Sequence, residues 1–190
     1  MPLFSPHSRT LNHCRHPADH QTVNCPNCGS ALRVVEGKDH LICDSCRSIH
    51  FPEPNDDGVR VLGEWSEQIC PVCRTPLVHA GHFGQRLLYC ETCRGMLLTM
   101  DDFVALVETL RARNKGPAYP PRPIAAADLE RVARCPQCGA RMDTHIYGGP
   151  GNIVIDNCPD CRLNWLDHQE LARITSAADA GLTEDAWAGV

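Results

Sequence analysis

CPQCGARMDTHIYGGPGNIVIDNCPDC, residues 135–161, opens and closes on a Cys-x-x-Cys pair and holds a glycine-rich break between two β-prone runs. The same plan occurs three times. Cys25 and Cys28 are followed by Cys43 and Cys46, Cys70 and Cys73 by Cys90 and Cys93, and Cys135 and Cys138 by Cys158 and Cys161, with 14, 16 and 19 residues between the pairs. Each opening pair has Pro after its first cysteine, and each closing pair is followed by an arginine: Arg47, Arg94 or Arg162. Self-similarity of this kind marks a tandem array rather than one continuous core. Of the 13 cysteines, only Cys14 stands outside the scheme.

A tight turn aims both sulfurs of a Cys-x-x-Cys pair at one ion, and two such turns on facing strands complete a tetrahedral cage. Zn2+ is therefore expected, three ions per chain, with the twelve paired cysteines as ligands. Iron in a rubredoxin-like cage uses the same four thiolates, and ligand identity alone does not separate the two. A disulfide framework fits poorly. The first 24 residues lack the apolar block of a secretion signal and no stretch approaches the roughly 18 apolar residues of a spanning helix, so a cytoplasmic, reducing location without membrane attachment is expected. Thioredoxin-like chemistry needs one reactive pair near a βαβ pattern, which this chain does not show. Four sulfurs leave a metal no open position for water, and no nucleophile is assembled with a base elsewhere, so the chain is not expected to be an enzyme.

The segments between the pairs read as hairpins: Leu32 to Val35 with His40 to Ile42, Leu77 and Val78 with Leu87 to Tyr89, and Thr144 to Tyr147 with Ile153 to Ile155. Hydrophobic residues make up 43% of the 190, but only ten are Phe, Trp or Tyr. Modules of about 40 residues rarely fold on such a core without metal or disulfides. The expected fold class is thus a set of small metal-stabilised modules: three tandem zinc ribbons, β-hairpins with short capped helices after the second and third, and little shared hydrophobic core.

After its last ligand the third unit continues Arg162-Leu-Asn-Trp165-Leu166-Asp167-His-Gln-Glu170-Leu171. Cys-Pro-x-Cys, a hairpin, Cys-Pro-x-Cys-Arg and then Trp-Leu-Asp-x-x-Glu-Leu resembles the bacterial family of TFIIB-type (transcription factor) zinc ribbons. The second unit fits in register, with Leu97, Leu98, Thr99, Asp102 and Phe103 at the places of Trp165, Leu166, Asp167, Glu170 and Leu171. It keeps Gly95 after the arginine and loses the tryptophan. The first unit retains the ligands and Arg47 but diverges through Ser48-Ile-His-Phe-Pro52.

Thr99 with Asp102, and Asp167 with Glu170, each read as an N-cap with an acidic residue three positions on, so a helix is expected to start at each. Phe103, Leu106, Val107 and Leu110 give the helix after the second unit one apolar stripe, and Leu171 and Ile174 begin another after the third. These stripes and Trp165 are expected to cover their own ribbons. The arginine beside each closing pair is expected to offset charge on a cage that is formally −2, with phosphate contact as the alternative, disfavoured because no basic run surrounds any of the three.

The domain reading is a tail over 1–24, ribbons over 25–52, 70–113 and 135–177, a spacer over 53–69, a Pro-rich linker with a short helix over 114–134, and a C-terminal tail or short helix over 178–190. The linker is expected to hold the third ribbon apart. His13, Cys14, His16 and His20 offer ligands for a further metal, but nothing apolar accompanies them.

Charge bears on partners. The formal charge is −5, and twelve thiolates with three Zn2+ would take it to −11. Residues 1–60 carry 6 basic and 7 acidic groups, 61–115 carry 6 and 6, and 116–190 carry 6 and 10. Phosphate contacts need clustered Lys and Arg, and the only basic cluster is Arg111-Ala-Arg113-Asn-Lys115, which a helix C-terminus explains. An unidentified protein partner is therefore expected, for an adaptor or regulator. Transcription-linked nucleic-acid binding, implied by the resemblance, and zinc/thiol redox sensing are the alternatives.

Overall fold

The computed structural model describes residues 23–116, 122–147 and 152–177. Within them each cysteine unit is a hairpin followed by a third short strand. In the first unit β1 (Leu32–Val34), β2 (Leu41–Cys43) and β3 (Ile49–His50) form a separate three-stranded antiparallel sheet. The second has β4 (Arg60–Ile69), β5 (Pro76–His82), β6 (Gln85–Tyr89) and β7 (Met96–Thr99). The third has β8 (Asp143–Ile146), β9 (Val154–Cys158) and β10 (Leu163–Leu166). These seven strands make one antiparallel sheet in the order β4-β5-β6-β7-β10-β9-β8.

The junction between the second and third units is β7 against β10, with Met96 opposite Leu166, Leu97 opposite Trp165, Leu98 opposite Asn164 and Thr99 opposite Leu163. Leu97 and Trp165 are equivalent positions of the two repeats, so the units meet about an approximate two-fold axis through that pair. Strand alternation then sorts the side chains. Met96, Leu98 and Leu166 join a cluster with Val78, Tyr89, Phe103, Leu106, Val107, Leu171 and Ile174. Leu97, Leu163 and Trp165 join a second cluster with Leu77, Met142, Cys70, Cys90, Cys135 and Cys158. Helices cover one face of the sheet and the two cages lie on the other.

This corrects the expectation of little shared hydrophobic core. The physical reason lies in β7 and β10. Each is apolar on both faces and is the outer strand of its own ribbon, so a solitary ribbon, whose own helix covers one face, would expose the other face and an unpaired edge. Pairing removes both liabilities at once. The same junction corrects the linker expectation, because the third ribbon is zipped onto the second rather than held apart. Trp165, expected over its own ribbon, packs against the second. The stretch 53–69, read as a spacer, contains the ten-residue strand β4.

The helices are α1 (Met100–Arg113), α2 (Ala126–Glu130) and α3 (Glu170–Ser176). Thr99 caps α1 as expected: its hydroxyl accepts the Asp102 N–H at 3.1 Å and donates to the Asp102 carboxylate at 2.7 Å. The third unit keeps half of that device. Glu170 reaches back to the Asp167 N–H at 2.7 Å, but the Asp167 carboxylate accepts from Trp165 Nε1 at 2.9 Å and from Arg131 instead of capping the helix, and Gln169 takes the N-cap place with φ 71°. Arg131 also lies 2.6 Å from the fully buried Asp156, which accepts the Thr144 hydroxyl at 2.5 Å. This buried polar group fixes the segment after α2 to β8 and β9.

The first ribbon is attached more sparingly. Leu62 of β4 completes its small core of Cys25, Leu32, Leu41 and Cys43. Its hairpin turn sits on the β5–β6 turn, where Asp39 accepts the Gly84 N–H at 3.1 Å and Arg86 donates to the Lys38 carbonyl at 2.9 Å. Gly81 permits that approach, since a Cβ there would stand 2.8 Å from Asp39 Cα. Asn24, read as the end of a tail, already bridges Ala31. The His13, Cys14, His16 and His20 group and the segment 178–190 lie outside the described residues.

Candidate metal centres

All six Cys-x-x-Cys pairs sit in turns whose following residue takes the left-handed conformation: Gly29, Arg47, Arg74, Arg94, Gly139 and Arg162, with φ from 52° to 78°. In five of them that residue donates its N–H to the carbonyl of the first cysteine, Gly29 to Cys25 at 2.8 Å, Arg47 to Cys43 at 2.9 Å, Arg74 to Cys70 at 3.0 Å, Arg94 to Cys90 at 2.7 Å and Gly139 to Cys135 at 2.9 Å. Arg162 donates to the Pro159 carbonyl at 3.3 Å. The turn reverses the chain so tightly that both sulfurs emerge on its inner side. Glycine is the residue of lowest strain at such a φ, so four of the six positions accept an energetic penalty for a long side chain.

Those side chains explain part of the choice, and not by lying against the cages as expected. Arg94 makes a two-pronged pair with Asp57, at 2.6 and 2.5 Å. Arg162 reaches Asp101 at 2.8 Å across the β7–β10 junction. Arg47 is exposed.

The turns bring the twelve cysteines named from the sequence into three groups: Cys25, Cys28, Cys43 and Cys46; Cys70, Cys73, Cys90 and Cys93; Cys135, Cys138, Cys158 and Cys161. In each, the four sulfurs lie within 4.8 Å of one another. Close separations are 3.4 Å for Cys28–Cys43, 3.6 Å for Cys70–Cys93 and 3.7 Å for both Cys25–Cys46 and Cys138–Cys158. A disulfide would need about 2.05 Å, and all twelve thiols are free. A tetrahedron with Zn–S bonds of about 2.3 Å has edges of about 3.8 Å, so the donor sets fit zinc. When bound, zinc supplies cross-linking of chain segments and no open coordination site.

The surroundings act on the sulfurs in opposite senses: burial above all raises Cys70, Cys93 and Cys158, whereas hydrogen-bond donors lower others. Ser48 Oγ lies 3.0 Å from Cys46 and 3.2 Å from Cys25, and its hydroxyl above all pulls Cys46 down to about 5. Cys90 falls to about 7 although burial opposes it, because the Cys93 N–H and the Thr75 hydroxyl point at its sulfur. Cys138 is lowered by the Ala140 N–H first. The cages differ in cover: Cys28 and Cys138 are exposed, whereas no ligand of the middle cage is.

Together the folded units and the sulfur sets define a zinc-binding protein with three four-cysteine sites. Residues 134–177 match the family model of the TFIIB zinc ribbon, described as a transcription factor zinc-finger. That match spans the third cage, β8 to β10 and α3, and the two further four-cysteine clusters suggest tandem copies. No curated protein matches the chain, and no solved structure does. Among the described residues no helix is long and apolar enough to cross a membrane.

Sequence reading missed Asp57. This residue of the presumed spacer accepts from Arg94 and from the Tyr89 hydroxyl at 2.8 Å, and stands 3.4 Å from His168 of the third unit. Although partial burial opposes it, Arg94 and then Tyr89 hold its carboxyl below the usual range, and burial with Asp57 beside it pushes Tyr89 up to about 12. The Asn55-Asp-Asp-Gly58 turn was the available signal, but a turn signature does not say what its carboxylate will reach.

Proposed function

We propose that the protein is a non-catalytic zinc protein that recognises another protein, as an adaptor or regulator in a reducing, cytoplasmic setting. The observation that carries this reading is the charge beside the cages. The exposed tips of the three closing turns carry Asp44, Glu91 and Asp160, and the arginines that follow the second and third of these turns are engaged by Asp57 and Asp101. At the second and third of these turns a phosphate backbone would meet carboxylates instead of a stripe of free cations, while at the first Asp44 is paired with Arg33 at 2.7 Å. Saturated four-sulfur sites support the absence of catalysis.

The description of the matched family favours a second reading, transcription-linked nucleic-acid binding. It rests on likeness of one segment, and a shared fold does not fix function. Exposed sulfur at Cys28 and Cys138 favours a third, thiol sensing. One experiment separates the first two: zinc-loaded full chain is passed over immobilised duplex DNA and single-stranded RNA at low ionic strength, and in parallel is cross-linked in native extract. The proposal expects flow-through on both nucleic acids and a cross-linked protein that survives nuclease. Salt-sensitive retention on either nucleic acid would contradict it.

A further inference from the structure

The first and third cages offer the same access to their sulfurs and surround them with different donors. In both, the second cysteine of each pair is the outer one: Cys28 and Cys138 are exposed, Cys46 and Cys161 are half-buried, and the other four ligands are buried. A close sulfur pair also corresponds, Cys28–Cys43 at 3.4 Å and Cys138–Cys158 at 3.7 Å. The side chains around the sulfurs differ. Ser48 Oγ lies 3.0 Å from Cys46 and 3.2 Å from Cys25, and Asn27 Nδ2 donates to Cys46 at 3.5 Å. In the middle cage, where no ligand is exposed, Thr75 Oγ1 lies 3.6 Å from Cys90. The third cage has Leu163 at the place of Ser48 and Ala140 at the place of Thr75. Among the described residues no side-chain hydroxyl or amide reaches its sulfurs. A zinc-bound thiolate carries no proton, so the hydroxyls of Ser48 and Thr75 must be the donors. Each donated hydrogen bond draws charge from the sulfur and lowers its nucleophilicity, and zinc then draws harder on the remaining ligands. Backbone N–H groups point at sulfur in all three cages, so the side-chain donors are what set the cages apart.

We propose that the third cage is the chain's modification site for hydroperoxides, with Cys138 as the attacking sulfur and Cys158 as the sulfur that resolves it, and that Ser48 protects the otherwise equivalent first cage. The Cys138 sulfur attacks one peroxide oxygen: an S–O bond forms, the O–O bond breaks, and the departing alkoxide or hydroxide takes a proton from water. Cys158 then attacks the oxidised sulfur, an S–S bond forms and hydroxide leaves. The two thiolates give up two electrons and the hydroperoxide is reduced to an alcohol or to water. Zinc, left with Cys135 and Cys161, dissociates. The middle cage, without an exposed ligand and with the Thr75 donor, reacts last. The reaction needs no partner protein and is independent of what the protein recognises.

The test treats the zinc-loaded full chain with a substoichiometric dose of hydrogen peroxide, caps the remaining thiols and maps disulfides by mass spectrometry, while a chromogenic chelator reads the zinc set free. The Cys138–Cys158 disulfide is expected first, about five-fold faster than any disulfide within the first cage. Ser48→Ala is expected to bring the first cage to within about two-fold of the third. Ala140→Thr, at an exposed position, places a hydroxyl equivalent to that of Thr75 beside Cys158 and is expected to slow the third cage about three-fold. Equal rates at the first and third cages of the unaltered chain, rates that neither substitution moves, or first oxidation in the middle cage would overturn the proposal.

Discussion

Gly95 lies directly beneath the indole of Trp165: a Cβ on Gly95 would fall among the ring atoms, 2.7 Å from Cη2. The two residues come from different repeats, and each marks a departure from symmetry. The second unit keeps the glycine and has Leu97 where the third has tryptophan. The third has Leu163 where the second has glycine. One repeat therefore vacates the volume that the other fills.

Gly95→Ala is expected to destabilise the protein by about 2–4 kcal/mol, the upper range for overpacking a rigid, fully buried site. Trp165→Leu relieves that overlap, so the double variant is expected to lose less than the sum of the singles. Denaturant unfolding of the zinc-loaded proteins measures it. Simple additivity would mean that the contact is not the source of the cost.

Because the second and third cages share one cluster through Leu97 and Trp165, their zinc ions are expected to bind as a coupled pair. Cys161→Ser should weaken zinc at Cys70, Cys73, Cys90 and Cys93 about ten-fold or more, while Cys28→Ser should leave both those sites unchanged. Native mass spectrometry under graded chelator reads this directly. Independent loss of single ions from every site would refute the coupling.

How much of this was legible beforehand divides along a physical line. Ligands, turns and the Thr99 cap are local, set by residues within five positions, and the sequence states them openly. The β7–β10 pairing is a choice between partners about 70 residues apart, and nothing in Met96-Leu-Leu98 says whether a strand, a helix or solvent meets its outer edge. Its excess of apolar residues on both faces was the visible clue, since a ribbon's own helix covers only one. Asp167 shows the same limit on a smaller scale: its capping pattern was present, but Trp165 and Arg131 took its carboxylate first.

Asp57→Asn removes the charge that meets Arg94 and leaves a guanidinium paired with an amide. With Asp57 side chain 14% exposed and Arg94 37% exposed, the loss is expected at about 1–3 kcal/mol. The fall should exceed that of Asp101→Asn, whose partner Arg162 is largely solvated, where less than about 1 kcal/mol is expected. Thermal unfolding of both variants in one buffer provides the comparison.

Glu170 gives stability a pH dependence. Burial first of all raises its pKa from 4.5 to about 8; Arg131 and Arg173 oppose the rise, and Asp156 and Asp128 reinforce it. The folded protein thus keeps a proton that the unfolded chain releases above about 4.5, so this contribution is favourable below that pH and is lost as pH rises toward 8. Glu170→Gln preserves an acceptor for the Asp167 N–H and removes the ionisation. It is expected to stabilise the protein on the order of 2 kcal/mol at pH 8 relative to pH 5.5. Denaturation of the zinc-loaded chain across that range tests the sign; a wild-type curve steeper upward with pH than the variant would reverse it.

Twelve sulfurs in three closed sets hold the fold together. X-ray absorption at the zinc edge, combined with metal and thiol counts on the purified chain, tests it most directly. Three zinc ions per chain are expected, each with four sulfur neighbours at about 2.3 Å, and no disulfides among Cys25 to Cys161. A folded protein carrying fewer ions, a nitrogen or oxygen neighbour at zinc, or sulfurs joined in pairs would contradict it.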